Sequence, residues 1–353
     1  MIVDSHSTDW RGVVKRNTRK SYIVIGVFLI IFFALGLFID LIWRYLEFST
    51  YQAYYGYYIS PGMILKALIT LKLTPWATII STGVALIWLL ITFSAYDKIM
   101  LMGTQYREIK PNDPDPLLQR IYNVTEEMKI AAGLAYMPKV YLIEADYMNA
   151  FASGYSDKSA MVAVTRALAQ SLSRDELQAV MAHELTHIRN KDIKLNLFTV
   201  VLSNMLMFMI ESLFWTLLFG SNRRNNRQSG GNVMAIVLLV VMVLRIVLPI
   251  LTALMMFFLS RTREYMADAG AVELMRDNQP MAKALLKISN NHQNSNVAAA
   301  YKHTANERMR RASYLYDPAS AKFATDSMDN LFSTHPSLKN RLKSIGISLK
   351  DQS

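Results

Sequence analysis

The sequence predicts a mainly α membrane protein, with four transmembrane helices joined to a soluble α+β domain that contains a small β-sheet. Three observations lead there. Of the 353 residues 52% are hydrophobic, and they gather into runs too long for a soluble core. The stretches between and after these runs read as ordinary soluble protein, with helical and strand periodicities following one another. Basic residues crowd beside the first apolar run, as they do at a membrane surface.

Residues 1–21 form a polar N-terminal segment in which Arg11, Lys15, Arg16, Arg19 and Lys20 precede the first span. The positive-inside preference puts this segment in the cytoplasm. Residues 22–43 are an apolar run of 22 residues whose one charge is Asp40. The run is too long for the core of a signal peptide and lacks a small-residue cleavage site, so it reads as a retained anchor with no cleaved leader. Residues 44–74 read as an external loop, with Tyr45, Tyr51, Tyr54, Tyr55, Tyr57 and Tyr58 giving it the composition of an interfacial aromatic belt rather than of a ligand site.

Residues 75–93 are a second, uncharged span. Residues 195–219, broken by Glu211, are a third, and residues 233–259, broken by Arg245, a fourth. Four crossings return both ends to one side. The loop at 220–232 opposes this topology, because Arg223, Arg224 and Arg227 would lie outside. A short hairpin can insert as a unit whose direction the earlier spans decide, or can enter the bilayer only in part. Glu211 and Arg245, on opposite arms of that hairpin, suit a helix–helix ion pair better than a proton path, since one pair is short of a relay.

The soluble protein falls in two parts, 94–194 and 260–353. In the first, Pro111, Pro114 and Pro116 end the membrane-proximal segment, Leu117 to Gly133 has helical periodicity, and Lys139 to Ile143 and Met161 to Thr165 are short strands. Ser173-Arg174-Asp175-Glu176 is a capping box, and Leu177, Val180, Leu185 and Ile188 continue the helix it opens. In the second part, Arg261 to Met275 continues the fourth span as helix and Met281 to Ile288 is another helix. Residues 289–330 are rich in Asn, Ser and Ala and read as a mobile segment, which makes His292 and His303 solvated surface histidines.

Composition narrows the chemistry. There is no cysteine, which excludes disulfides and a thiol nucleophile and leaves imidazoles and carboxylates as metal ligands. The net charge of +11 would suggest nucleic acid in a soluble protein. Beside apolar spans, anionic lipid headgroups are the simpler partner, so the lipid bilayer is expected and nucleic acid is not.

His183-Glu184-Leu185-Thr186-His187 is the most informative stretch. On a helix, imidazoles four residues apart share one face and can grip one metal ion. H-E-x-x-H is the pattern of zinc peptidases, in which the glutamate is general base rather than ligand. The competing reading is two surface histidines on a helix. A catalytic zinc needs a third protein ligand, and Glu264 in the segment Ser260 to Asp268 is the best candidate, with Asp268 placed to accept the N–H of a ligand histidine. By themselves a Glu and an Asp four apart are an ordinary surface pair. Position changes the balance. Leu195 begins the third span eight residues after His187, and Leu259 ends the fourth five residues before Glu264. On ideal helices the half-sites then stand roughly 12 and 8 Å from the membrane edge, at nearly one height.

These residues resemble those of the HtpX-type membrane zinc metallopeptidases, which are related to the CAAX prenyl endopeptidases. The marks are Asn149-Ala150-Phe151-Ala152-Ser153-Gly154, the helix from His183 to His187 running on to Asn190 and Asp192, the segment Arg261 to Asp268, and Ser333-Thr334-His335-Pro336. The resemblance implies a zincin-like (gluzincin) protease domain on the cytoplasmic face of a bacterial inner membrane, acting in protein quality control. It implies one Zn²⁺ per chain held by His183, His187 and Glu264, with Glu184 as catalytic base and Asp268 as the partner behind a ligand. It further implies that Asn149, Ala150, Phe151 and Ala152 edge the substrate-binding sheet and that His335 helps to stabilise the oxyanion. Expected substrates are proteins, membrane proteins above all, and a homo-oligomer is left open. The alternatives are a prenyl-protein processing protease, which needs more membrane helices than four, and a proteolytically silent scaffold keeping zinc for stability, from which Glu184 would be missing. A transporter fits least, with so few intramembrane charges. The N-terminal segment and the Tyr-rich loop exceed what compact relatives carry, and bear on regulation.

Overall fold

The computed structural model describes residues 2–4, 10–56, 59–101, 104–154, 158–220, 231–293, 315 and 335–349. The chain divides into two compact units, one of Met1–Tyr22, Phe93–Asn196 and Met256–Ser353 and the other of Ile23–Thr92 and Leu197–Met255. In chain order the elements are β1 (Ile2–Asp4), α1 (Trp10–Tyr55), α2 (Pro61–Ile69), α3 (Trp76–Leu101), β2 (Tyr106–Ile109), α4 (Pro116–Ala131), β3 (Lys139–Ile143), β4 (Ala150–Ser153), β5 (Met161–Thr165), α5 (Arg166–Ser171), α6 (Arg174–Arg189), α7 (Asp192–Gly220), α8 (Gly231–Met275), α9 (Gln279–Gln293), α10 (Leu338–Ser344) and β6 (Ile347–Leu349).

The first unit is built on a four-stranded sheet of order β2-β3-β5-β4, with β1 and β6 pairing separately. β3 and β5 run parallel, while β2 and β4 are antiparallel edges. Strand alternation sorts the sheet between two cores. Val140, Leu142, Ala150, Ala152, Val162 and Val164 join the larger cluster with Leu177, Val180 and Leu185 of α6, whereas Tyr141, Ile143, Phe151, Met161 and Ala163 form the smaller one. β3 and β5 have the bounds their sequence suggested. β2 is an addition: three of its four residues are exposed, so it lacks the alternation that marks a half-buried strand, and its pairing with β3 defines it.

Helix ends follow local chemistry. Asp115 caps α4 through Leu117 N with Pro116 in the first turn, and Ser173 and Glu176 complete the capping box of α6. Glu176 also takes Lys287 Nζ of α9 at 2.7 Å. The helix proposed over Met281 to Ile288 is longer, reaching from Gln279 to Gln293. His292 is therefore not a solvated surface histidine. It is 6% exposed, and its Nε2 lies 2.8 Å from the Met148 carbonyl. The polar letters around it concealed a contact made 144 positions earlier in the chain. His303, and the proposed mobile segment apart from its first residues and Leu315, lie outside the described residues, as do Arg223, Arg224 and Arg227.

Among the described residues three helices are long and apolar enough to cross a membrane, over Thr18–Phe48, Phe198–Phe219 and Met234–Met275; a shorter apolar helix covers Trp76–Ile91. Ile30, Ile80, Ile87, Leu90, Ile246 and Ile250 are each more than half exposed, a surface suited to lipid. Residues 44–74 are largely helical rather than a loop, because α1 continues to Tyr55 and Ser60 and Pro61 start α2. Asp40 is buried in the second unit, where it accepts Ala77 N at 2.7 Å, Thr78 N at 3.0 Å and Thr78 Oγ1 at 2.8 Å. The one acid of the first span thus serves the first turn of α3, whose backbone N–H groups have no partner within their own helix. A Cβ at Gly36 would strike Thr78. Glu211 and Arg245 form the expected ion pair at 2.5 Å, with the guanidinium over the Phe214 ring.

Candidate active site

The capping box starts α6 so that His183 and His187 emerge one turn apart on its buried face. Their rings meet edge to face with centroids 4.8 Å apart, and the two Nε2 atoms are 3.1 Å apart. Each Nδ1 faces a carboxylate: His183 Nδ1 lies 3.0 Å from Asp268 Oδ1 and His187 Nδ1 2.8 Å from Asp192 Oδ2. Acceptors at both Nδ1 positions keep the protons there and leave both Nε2 lone pairs aimed at one point.

α8 brings Glu264 to that point, with Oε1 at 3.5 Å from His187 Nε2 and Oε2 at 3.7 Å from His183 Nε2. His183, His187 and Glu264 offer ligand atoms that all lie within 4.8 Å of one another. Three atoms bound tetrahedrally to one zinc at ~2.0–2.2 Å would stand about 3.4 Å apart. The donor set and its spacing fit the ion. Gly270 makes the close approach of α8 to α6 possible, since a Cβ there would collide with the Thr186 side chain.

The supporting groups come from farther along the chain. Arg341 of α10 is 1% exposed and grips Asp268 through Nε at 2.8 Å and Nη2 at 2.6 Å, while Nη1 lies 3.4 Å from Glu264 Oε2. Burial opposes its charge, but Asp268 and Glu264 outweigh burial and raise its pKa. Arg263 donates to Asp192 Oδ1 at 2.9 Å and to the Asp192 carbonyl at 2.7 Å. His183, fully buried, has its pKa lowered by desolvation against the pull of Asp268. For His187, burial acts in the same direction, yet hydrogen bonds to Asp192 and Glu264 prevail and hold its pKa well above the ordinary value.

Glu184 lies beside the same cluster, close enough to His187, Glu264 and Arg341 to feel their charges. It is 1% exposed, and burial outweighs the neighbouring charges and the Ala152 backbone N–H and pushes its pKa up to about 8. A carboxyl group so tuned suits proton transfer near neutral pH. His335 is 3% exposed, with Nδ1 at 3.6 Å from Glu264 Oε2. Ala150, Phe151 and Ala152 lie in edge strand β4; Asn149 precedes it, its carbonyl accepting from Thr165 N and its Oδ1 from Ala150 N. Every residue proposed for the site from sequence is thus in the first unit.

Two of the site's features differ from the sequence reading. α6 and α7 are separate helices, with Asn190 capping α6 and Lys191 at φ 58°. The continuous helix assumed from His187 to Leu195 does not exist, so the 12 Å rise does not apply on that arm, whereas α8 runs unbroken past Glu264. The break has a function: it returns Asp192 to His187. In the sequence Asp192 is a mark of the resemblance with no role attached, and Arg341 has no local signal, being 73 positions from the aspartate it grips.

Comparison with known proteins identifies the family. The family model described as peptidase family M48 matches residues 117–346. A protein named Protease HtpX homolog from Helicobacter pylori strain J99 is 37% identical over 342 residues, covering 96% of this chain and 98% of its own. A protein of the same name from Listeria innocua serovar 6a is 36% identical over 271 residues, covering 75% and 84%. Among solved structures, the crystal structure of S. mikatae Ste24p aligns with a TM-score of 0.48 at 18% identity, covering 79% of this chain and 60% of that one. With a family model spanning most of its length and relatives similar from end to end, the chain belongs to peptidase family M48.

Proposed function

We infer that this chain is a membrane-bound metalloprotease in which zinc is held by His183, His187 and Glu264. The observation that carries this reading is the convergence of three ligand atoms within 4.8 Å beside a buried carboxyl group at Glu184. Zn²⁺ bound there would supply a water of lowered pKa and polarise a scissile carbonyl. Glu184 accepts the proton of the attacking water on a carboxylate oxygen and passes it to the leaving amine. Asp268 and Asp192 keep the imidazoles in the tautomer that binds metal. His335 provides a donor for the developing oxyanion. An extended peptide adds as a strand along the outer edge of β4 at Asn149 to Ala152, which holds the main chain without requiring a particular sequence.

The apolar helices make membrane proteins and their exposed loops the nearest substrates. We place the protease domain and the N-terminus on the cytoplasmic face of a bacterial inner membrane, with four crossings and a quality-control role. The test is zinc stoichiometry in detergent together with cleavage of casein or a membrane protein. Glu184→Gln should retain zinc and lose about 10²–10⁴-fold in kcat/KM. Undiminished cleavage by that variant would remove Glu184 from the chemistry, and failure of the wild type to hold zinc would sink the whole reading.

A further inference from the structure

β4 is an edge strand, and Thr165 N donates to the Asn149 carbonyl at 3.0 Å. Alternation then turns the Ala150 carbonyl away from β5, toward the open side of the sheet. A donor to that carbonyl must come from whatever lies alongside β4. In this structure it is the chain itself: Leu315 N donates to Ala150 O at 2.9 Å.

The opposite end of the Leu315 peptide unit is held as well. Its carbonyl accepts Arg341 Nη1 at 2.6 Å. The other two arms of that guanidinium are committed to Asp268, whose carboxylate also faces His183. Nη1 is thereby fixed as a donor beside the ligand set, 3.4 Å from Glu264 Oε2. The Leu315 side chain is 1% exposed and belongs to the apolar cluster that contains Ala150, Ala152, Leu342 and Ile345. One residue thus has its N–H on the edge of β4, its carbonyl on an arginine that grips Asp268, and its side chain in a buried apolar cluster. Those are the three anchors that a bound substrate residue needs. A peptide offering the same three contacts would compete with Leu315 for the same edge.

We propose that Leu315 is a resident pseudosubstrate residue, occupying the substrate track beside the metal-ligand set and marking an aliphatic subsite. The proposal rests on the peptidase reading above and sharpens it: preferred substrates carry a leucine-like residue where Leu315 now lies, and Arg341 and the Ala150 carbonyl position its main chain. An occupied track lowers apparent affinity by the fraction of molecules in which it is free.

The experiment uses the full-length protein in detergent, in the Glu184→Gln background, with a fluorescein-labelled hexapeptide bearing one central Leu and matched Gly and Asp versions. Leu315→Ala and Leu315→Gly should bind the Leu peptide more tightly, on the order of tenfold, while Leu315→Met stays near the parent. The Leu peptide should exceed the Gly peptide by on the order of tenfold or more. In the active protein the same changes should lower KM with kcat held. Unchanged or weaker peptide binding in Leu315→Ala and Leu315→Gly would overturn the proposal, whether the thermal midpoint is kept or falls, because Leu315 would then be a structural strut. Binding is read without turnover, so an inactive wild type would count against the peptidase reading and leave this result standing.

Discussion

His187 Nδ1 and Asp192 Oδ2 lie 2.8 Å apart although they belong to different helices. The chain reverses between them at Lys191, whose φ of 58° ends α6 and begins α7. Arg263 of α8 holds Asp192 from the other side. This pairing fixes which imidazole nitrogen is free for metal. Asp192→Ala should therefore weaken zinc binding about 10–100-fold, measured by competition with a chromogenic chelator. An unchanged affinity would mean that ring packing alone orients His187.

Gly270 sets the separation of α6 and α8. A side chain at this position meets Thr186, between the two metal-facing histidines, so α8 must shift and carry Glu264 with it. Gly270→Val should destabilise by about 1–3 kcal/mol and release zinc at lower chelator concentration than wild type. Thr186→Ala in the same chain should restore part of the loss. A Gly270→Val protein with wild-type zinc retention would show that the helices have slack there.

Glu176 links the start of α6 to α9. Burial works against its ionisation, but the Lys287 ammonium and the Ser173 backbone N–H outweigh burial and lower its pKa below 4.5. A depressed folded-state pKa means stability that is present above the unfolded value and lost as pH falls through the folded one. Glu176→Gln should cost about 1 kcal/mol at pH 7, with the gap to wild type closing below about pH 4.5. Denaturation in detergent at both pH values is the check; a gap that persists in acid would assign the effect to shape rather than charge.

Asp40 caps α3 from within α1, with three donors on its two oxygens. Asp40→Ala strands those buried donors and should lower stability by about 2 kcal/mol, read as a fall in thermal midpoint in detergent. Unaltered unfolding would show that water reaches the start of α3.

Much of the fold was legible because it is written in local patterns. The capping box of α6 is a four-residue signal, and β3 and β5 are short apolar runs of β-branched character. Legibility failed where a segment has meaning only through its partner. β2 is known by its pairing with β3. His292 looks like a surface residue until α9 brings it to Met148. The tyrosine-rich stretch read as loop because aromatic residues at a membrane edge are common in both loops and helix ends.

The sequence by itself determined the kind of chemistry, since two imidazoles one turn apart with a carboxylate between them define a metal-binding helix wherever that helix lies. It also determined that the chain would contain apolar helices long enough to cross a membrane. Tertiary structure alone decided what surrounds the ligands: Asp192 behind His187, Arg341 behind Asp268, Gly270 against Thr186, and Leu315 on the edge of β4. These contacts join residues on separate elements, most of them distant in the chain, and depend on where helices cross and strands end. Such meetings leave no periodic trace in the order of residues.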